Sequence, residues 1–136
     1  MQVDFYVLPE AGDAARELFC CRLAEKAWRR GVSVFVRTAD EAGAERLDQR
    51  LWTFRPGSFV PHARAAEADG EPVLIGAEPP GSGELLINLG TDVPGGWQRW
   101  SRVAEVLSSD ADTRRRGRER FRTYRDAGTA PNTHNL

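Results

Sequence analysis

The sequence predicts a three-layer α/β domain built around a mostly parallel sheet. The first fifty residues alternate short apolar runs with amphipathic segments, and a β-α-β-α order is typical of parallel strands joined by crossover helices. Two later apolar runs, PVLI and LLINL, predict further buried strands. A length of 136 residues fits one domain, which we expect to cover residues 1–136.

Hydrophobic periodicity and capping residues place the individual elements. We expect strands at residues 3–8, 32–36, 72–75 and 85–89, and helices at residues 13–30 and 40–51. Asp40 is the candidate N-cap of the second helix, and Asp110 or Asp112 that of a final helix ending at Gly128.

Three segments have weaker local patterns. Residues 63–71 are polar and rich in alanine, which predicts a loop. Residues 102–107 (RVAEVL) fit a strand or a helix equally well by period. The tail, residues 129–136, is expected to be frayed because chain ends of polar composition are seldom tied down.

Composition excludes several classes of protein. The net charge is −1, but residues 110–136 carry seven arginines against four acidic residues, and the rest of the chain has a charge of −4. A dedicated DNA-binding protein is usually basic overall. Cys20 and Cys21 are adjacent and cannot bridge to each other in a helix; free, buried thiols fit a reducing cytoplasm.

No motif for catalysis or cofactor binding is found. The sequence lacks a P-loop, a GxGxxG fingerprint and a GxSxG elbow, and no cysteines or histidines have metal-ligand spacing. His62 follows Pro61 and is best explained by a local hydrogen bond in a turn. We therefore expect no cofactor, no metal site and no catalytic site.

The last helix has an unusual cationic face. The segment DTRRRGRERFRTYRDAG contains seven arginines. Helical spacing places five residues on one face: Arg114, Arg118, Phe121, Arg122 and Arg125. Such a face is suited to an anionic ligand.

The ligand of this face could be a phosphate backbone or an acidic peptide, and a merely solvated charged face is the simplest alternative. Only Glu119 and Asp126 are available within the helix for pairing, so we expect an excess of unpaired cations. An apolar ring, Phe121, favours a peptide that offers carboxylates and an apolar side chain together. Stacking of a base on that ring would instead favour single-stranded nucleic acid.

A second candidate surface lies in the middle of the chain. In LDQRLWTFRPGSFVPH, Trp52, Phe54 and Phe59 occur within eight residues, around Pro56 and before Pro61. All three rings could pack in the core. Alternatively, this irregular segment presents aromatic side chains outward as a protein-binding patch.

Taken together, these segments resemble the chi subunit of bacterial DNA polymerase III, a part of the clamp-loader assembly. The likeness is carried by DFYVL, RLAEKAWRRG, LDQRLWTFRPGSFVPH, PVLI, LLINL and RERFRTYRDAG, and it extends over nearly the whole chain. The resemblance implies a Rossmann-like fold without nucleotide-binding motifs and a strand at residues 102–107. It also implies a non-catalytic, cytoplasmic subunit of a DNA polymerase holoenzyme.

The resemblance further implies partners and sites. Chi subunits bind the acidic C-terminal tail of single-stranded DNA-binding protein, and this site maps onto Arg114, Arg118 and Phe121. The surface for the psi subunit of the clamp loader, or for a DNA-repair helicase, maps onto Trp52 and Phe59. We expect a monomer that contacts DNA only through its protein partners and that does not bind a membrane. The resemblance assigns no role to the arginines outside the mapped site (Arg115, Arg116, Arg120).

Overall fold

A computed structural model describes residues 1–136 as seven strands and three α-helices. The strands are β1 (Gln2–Val7), β2 (Val34–Arg37), β3 (His62–Arg64), β4 (Val73–Gly76), β5 (Gly83–Asn88), β6 (Trp100–Leu107) and β7 (Asn132–Asn135). The helices are α1 (Asp13–Arg29), α2 (Glu41–Thr53) and α3 (Ala111–Asp126). None of the three helices combines the length and the apolar character needed to span a membrane.

All seven strands form one parallel sheet in the order β3-β4-β2-β5-β6-β1-β7. The predicted α/β class is confirmed, and the sheet is entirely rather than mostly parallel. The three helices supply the crossovers after β1, β2 and β6, because a parallel neighbour cannot be reached by a tight hairpin.

The sheet buries side chains on both faces, which creates two hydrophobic clusters. Along β2, Val34 and Val36 belong to the cluster under α1 and α2, whereas Phe35 belongs to the cluster under α3. Cys20 and Cys21 are free and buried in the first cluster. The domain therefore has helices on both sides of the sheet, which is the predicted three-layer arrangement.

Residues 102–107, which fitted two alternatives by period, form most of β6. This strand lies between β5 and β1. Val103 belongs to the cluster under α3, and the next residue, Ala104, belongs to the cluster under α1 and α2. A strand buried on both faces loses the alternation of apolar and polar residues, and this explains why periodicity alone was ambiguous.

Capping of the helices follows the prediction at Asp40 and departs from it at Asp110. The Asp40 carboxylate accepts a hydrogen bond from the Gly43 N–H at 2.8 Å, as an N-cap should. Asp110 occupies the N-cap position of α3, but its carboxylate makes no cap bond. It accepts instead from the Gly12 N–H and from the Ser108 hydroxyl, and so ties α3 to the loop before α1.

Residues 63–71, expected to form a loop, and residues 129–136, expected to be frayed, each contribute to a strand of the sheet. Within residues 63–71, the first two residues belong to β3, which pairs with β4. The tail is not frayed, because β7 pairs in parallel with β1 at the sheet edge. Buried Asp4 on β1 accepts hydrogen bonds from Asn132 Nδ2 at 3.3 Å and from His134 Nε2 at 3.0 Å. These partners are far apart in sequence, so no local pattern reveals them.

The Asp4 carboxylate is the centre of this edge contact and is only 1% exposed. Burial by itself would raise the pKa of Asp4, but hydrogen bonds from His134, Arg102 and Asn132 and the charge of Arg102 outweigh burial and lower it. The ring of His134 also stacks on Tyr6 with centroids 4.8 Å apart. Ionised Asp4 thus stabilises the attachment of β7 to the sheet.

Because the pKa of Asp4 is lower in the folded chain than in the unfolded one, its stabilising effect is complete above the unfolded pKa and is lost as pH falls through the folded pKa. We expect Asp4→Asn to be less stable than the wild type near neutral pH. The difference in unfolding free energy should shrink between about pH 5 and about pH 2. Chemical denaturation across this range measures it, and a difference that grows on acidification would contradict the assignment.

Candidate functional site

A buried polar network fixes α3 on the sheet. Glu105, at the centre of β6, is fully buried. Its carboxylate accepts hydrogen bonds from Arg120 Nε at 3.0 Å, from the Tyr124 hydroxyl at 2.7 Å and from Asn88 Nδ2 at 3.0 Å. Burial and the neighbouring Glu105 charge raise the pKa of Tyr124, which keeps its hydroxyl protonated as a donor. The Arg120 guanidinium also donates to the Thr91 carbonyl at 2.9 Å.

Close packing of α3 against β6 depends on a glycine. A Cβ atom at Gly117 would lie 2.6 Å from a methyl carbon of Leu107. Gly117, Arg120 and Tyr124 are the buried residues of α3, and their spacing of three and four places them on one stripe. The rotation of the helix is therefore fixed, and the opposite stripe faces solvent.

Three arginines of α3, namely Arg114, Arg118 and Arg122, have no acidic partner. The ion pairs of this helix involve Arg115, Arg116, Arg120 and Arg125 only. Arg118 and Arg122 are exposed. Arg114 is half-buried, and its guanidinium donates to two carbonyl oxygens, those of Ser108 at 3.4 Å and Leu8 at 3.3 Å.

Phe121 lies between these arginines and the core. Its ring is partly buried and meets that of Phe5 with centroids 5.3 Å apart. One side of the ring therefore packs against the cluster under α3, while the residue keeps an accessible part. We call Arg114, Arg118, Phe121 and Arg122 the α3 cationic face.

The remaining arginines are paired more completely than the sequence suggested. The expectation that only Glu119 and Asp126 would be available was wrong, because Asp112 and Glu105 also take part. Asp112 accepts from Arg116 at 3.1 Å and also pairs with Arg115, and Glu105 pairs with Arg120 from a different element. Arg125 pairs with Asp126 at 3.3 Å. Arg120 therefore has a structural role. The sequence feature that could have revealed this role is Glu105, the one acidic residue within the run RVAEVL.

A cleft of about 330 Å³ opens at the carboxyl ends of the strands, where open α/β sheets commonly bind ligands. Its four arginines, however, all contact protein acceptors. Each of them pairs with an acid: Arg16 with Asp13 at 3.4 Å, Arg46 with Glu17, Arg116 with Asp112 and Arg120 with Glu105. Arg16 also donates to the Val106 and Leu89 carbonyls. This leaves the cleft without an uncompensated cation, so the α3 cationic face is the stronger candidate for an anion site.

The aromatic residues of the middle segment divide between core and surface. Trp52 is 48% exposed and Phe59 57% exposed, and their ring centroids are 5.7 Å apart. Phe54, in contrast, is partly buried against the cluster under α1 and α2. We call Trp52 and Phe59 the aromatic patch; this outward arrangement is one of the two alternatives that the sequence allowed.

Hydrogen bonds beneath the patch hold it in place. His62 is buried under Trp52, and its Nδ1 lies 2.6 Å from the Val60 carbonyl oxygen, as expected for a turn histidine. Glu25 of α1 binds the Arg55 guanidinium at 2.5 Å and the Ser58 hydroxyl. The bond from Ser58, with those from Arg55, holds the pKa of Glu25 below its usual range despite partial burial. The irregular segment is therefore tied to α1 while its rings face solvent.

Comparison with known proteins places this arrangement in a family. The family model described as "DNA polymerase III chi subunit, HolC" matches residues 1–132. The chain is 47% identical to DNA polymerase III subunit chi of Pseudomonas aeruginosa, over 99% of this chain and 96% of the relative. Identity to the subunits chi of Haemophilus influenzae and Escherichia coli is 31% and 34%, over 97% and 90% of this chain and 95% and 86% of theirs.

The chain belongs to the DNA polymerase III chi subunit family. The resemblance inferred from the sequence is thereby confirmed. As a family member the chain is a replication accessory subunit with partners within the DNA polymerase III holoenzyme.

The Glu105 network gives a direct test of how α3 is anchored. Glu105→Gln would leave the buried Arg120 charge uncompensated, and loss of one partner of a buried pair costs about 3–5 kcal/mol. We expect this loss in the free energy of unfolding measured by urea titration. Glu119→Gln, the same change on exposed α3 surface, should stay within about 0.5 kcal/mol of wild type. Equal stability of the two variants would refute the anchoring role.

Proposed function

We propose that the chain links the DNA polymerase III clamp loader to the acidic C-terminal tail of single-stranded DNA-binding protein on the lagging strand. One observation carries the proposal: Arg114, Arg118 and Arg122 lack acidic partners within the chain and adjoin a partly exposed phenyl ring. A ligand that complements this face must bring negative charge and an apolar group together.

The chemistry of the α3 cationic face suits a peptide end. Guanidinium groups bind carboxylates in a planar, bidentate manner, and such charge-assisted hydrogen bonds are stronger than neutral ones. An apolar side chain can pack beside Phe121, whose other side is fixed against Phe5. Because exposed charges are screened within about 8 Å at physiological salt, we expect micromolar affinity that weakens with salt but persists.

Direct binding of single-stranded nucleic acid through α3 is less well supported. Arg115, Arg116 and Arg125 are paired with acids, and Arg120 is buried. Fewer free cations therefore remain than the sequence suggests, and the whole chain has a net charge of −1. Affinity for naked single strands would need many phosphate contacts and would fall steeply with salt.

The aromatic patch is a second docking surface in the proposal. Tryptophan is enriched in binding hot spots, and phenylalanine is enriched in the cores of protein interfaces. Trp52 packs on the buried His62 ring, and the segment between the two rings is tied to α1 by the Arg55–Glu25 bond. We propose that it receives the psi subunit of the clamp loader or a DNA-repair helicase, and that the free chain is a monomer. A stable homodimer through the aromatic patch would contradict this use.

Reversal of one charge on α3 tests the tail site. Arg118→Glu should weaken binding of the C-terminal peptide of single-stranded DNA-binding protein at least about tenfold, since a charged hydrogen bond contributes about 1.5–3 kcal/mol. Isothermal titration calorimetry measures the affinity, and circular dichroism checks the fold. A variant that binds as tightly as wild type would remove Arg118 from the site.

Arg116→Glu is the matched control for this experiment. It makes the same charge change at a position about 200° away around the helix, where Arg116 pairs with Asp112. We expect its peptide affinity to stay close to that of wild type. Equal weakening by both variants would show a general charge effect instead of a defined site, and a shift of naked single-stranded DNA by the wild type alone would favour the nucleic-acid alternative.

Truncation of the aromatic patch tests the second surface separately. Trp52→Ala and Phe59→Ala should reduce capture of clamp-loader subunits or of the helicase in a pull-down, because the lost rings supply the exposed apolar area. Both residues are near half exposed, so the fold should survive. Affinity for the tail peptide should remain unchanged. If either variant lost both partner capture and binding of the tail peptide, the two surfaces would not be independent.

A further inference from the structure

A third surface lies on α1, on the opposite side of the sheet from α3. A groove of about 630 Å³ opens between this helix and the sheet, within the range of ordinary ligand clefts, roughly 300–1,000 Å³. Its floor is mainly apolar and includes Phe19, Leu23, Val32 and Leu85. We call it the α1 groove.

The helical wall of the α1 groove carries a stripe of cations. Arg22 and Lys26 of α1 line it, together with Arg30, the C-cap residue directly after the helix. The three follow one another at intervals of four residues, which places them along one side over about 12 Å. All three are exposed. The ion pairs made by basic residues of this helix involve Arg16 and Arg29 instead, so the three lining cations have no acidic partner.

One of the side chains that line the groove is acidic. Glu84 is the acidic lining residue, and its carboxylate already accepts hydrogen bonds from the Ser33 N–H and hydroxyl. The fourth basic lining residue, Arg102, is paired with Asp4 at 2.8 Å. An apolar floor thus adjoins three uncompensated positive charges.

We propose that the α1 groove binds an extended acidic peptide segment of another protein, with apolar side chains on the floor and carboxylates along the cationic stripe. In an extended chain, alternate side chains share one face at intervals of about 6.6 Å. Four residues of α1 advance about 6 Å. The spacing of the three cations therefore matches that of carboxylates at alternate positions of an extended peptide. Charge complementarity thus favours a ligand chain that carries several negative charges and some apolar side chains.

Other anionic ligands fit less well. A fatty acid has one carboxylate and would leave two cations unused. A nucleic acid needs an open aromatic face for its bases, but the Tyr6 ring is stacked by His134 at 4.8 Å and packed by Phe19 at 5.1 Å. The proposal does not rest on the tail site, because the two surfaces lie on opposite layers of the domain.

The test uses the full chain carrying Arg118→Glu, so that the α3 cationic face is impaired in every sample. The probe is a fluorescent peptide of about eight residues that alternates aspartate and leucine, which is long enough in extended form to cover the cationic stripe. Both ends are blocked so that no terminal carboxylate contributes to binding. Fluorescence anisotropy at moderate salt gives the affinity. Adding Lys26→Glu or Arg30→Glu should weaken binding about fivefold or more, since attraction becomes repulsion. Adding Arg116→Glu, which makes the same kind of charge change on α3, should leave the affinity for the probe unchanged.

Four binding results, and one result on the oligomeric state, would overturn the proposal. The first is equal affinity of the Lys26→Glu and Arg116→Glu samples for the probe, and the second is binding of a peptide with serine in place of leucine as tightly as the probe. The other two are displacement of the probe by a single-stranded oligonucleotide, or by laurate, at lower concentration than by unlabelled aspartate–leucine peptide. Sedimentation that shows a dimer abolished by Lys26→Glu would assign the groove to a second copy and would overturn it as well. Because every sample shares the same α3 change, failure here is distinct from failure of the tail site.

Discussion

The buried carboxylate of Glu105 is the contact on which the organisation of α3 depends. A fully buried charge is costly unless it is paired and hydrogen-bonded, and here Arg120 and Tyr124 of α3 and Asn88 of β5 satisfy it. Because Arg120 and Tyr124 lie on the same helix, they fix its rotation as well as its position, and Gly117 lets it approach Leu107 closely. The exposed stripe of α3 is a consequence of this anchoring.

Anchoring also sorts the arginines into two groups with different roles. Arg120 is buried against Glu105, and Arg115, Arg116 and Arg125 make exposed ion pairs. In contrast, Arg118 and Arg122 remain free and Arg114 meets only carbonyl oxygens. A count of arginines therefore overstates the charge available to a ligand. What remains is a small cationic area beside one ring, which supports the proposed peptide ligand more than a nucleic-acid backbone, because a backbone would need many phosphate contacts.

The parallel sheet separates the candidate surfaces. The α3 cationic face lies on one side of the sheet, and the α1 groove and the aromatic patch lie on elements of the other side or of its margin. Strands buried on both faces form the layer between them, and the surfaces share no residue. Such an arrangement is suited to a subunit that holds two or more proteins together, because each partner can bind or leave without competing for the same residues.

The sequence alone determined the α/β class, most strands and helices, the family, and the residues on one face of the last helix, because hydrophobic period, capping residues and helical spacing are local properties. Hydrophobic period alone could not decide whether RVAEVL was a strand, a point that the family resemblance predicted correctly. The sequence also left open whether Trp52 and Phe59 faced solvent and which arginines were free. Those outcomes depend on partners distant in the chain: Glu105 for Arg120, Asp4 for Asn132 and His134, and Glu25 for Arg55. The tail became strand β7 for the same reason, since its hydrogen bonds lie on β1. Local pattern fixes the elements, and only the folded chain brings together the charges that decide which side chains remain available for binding.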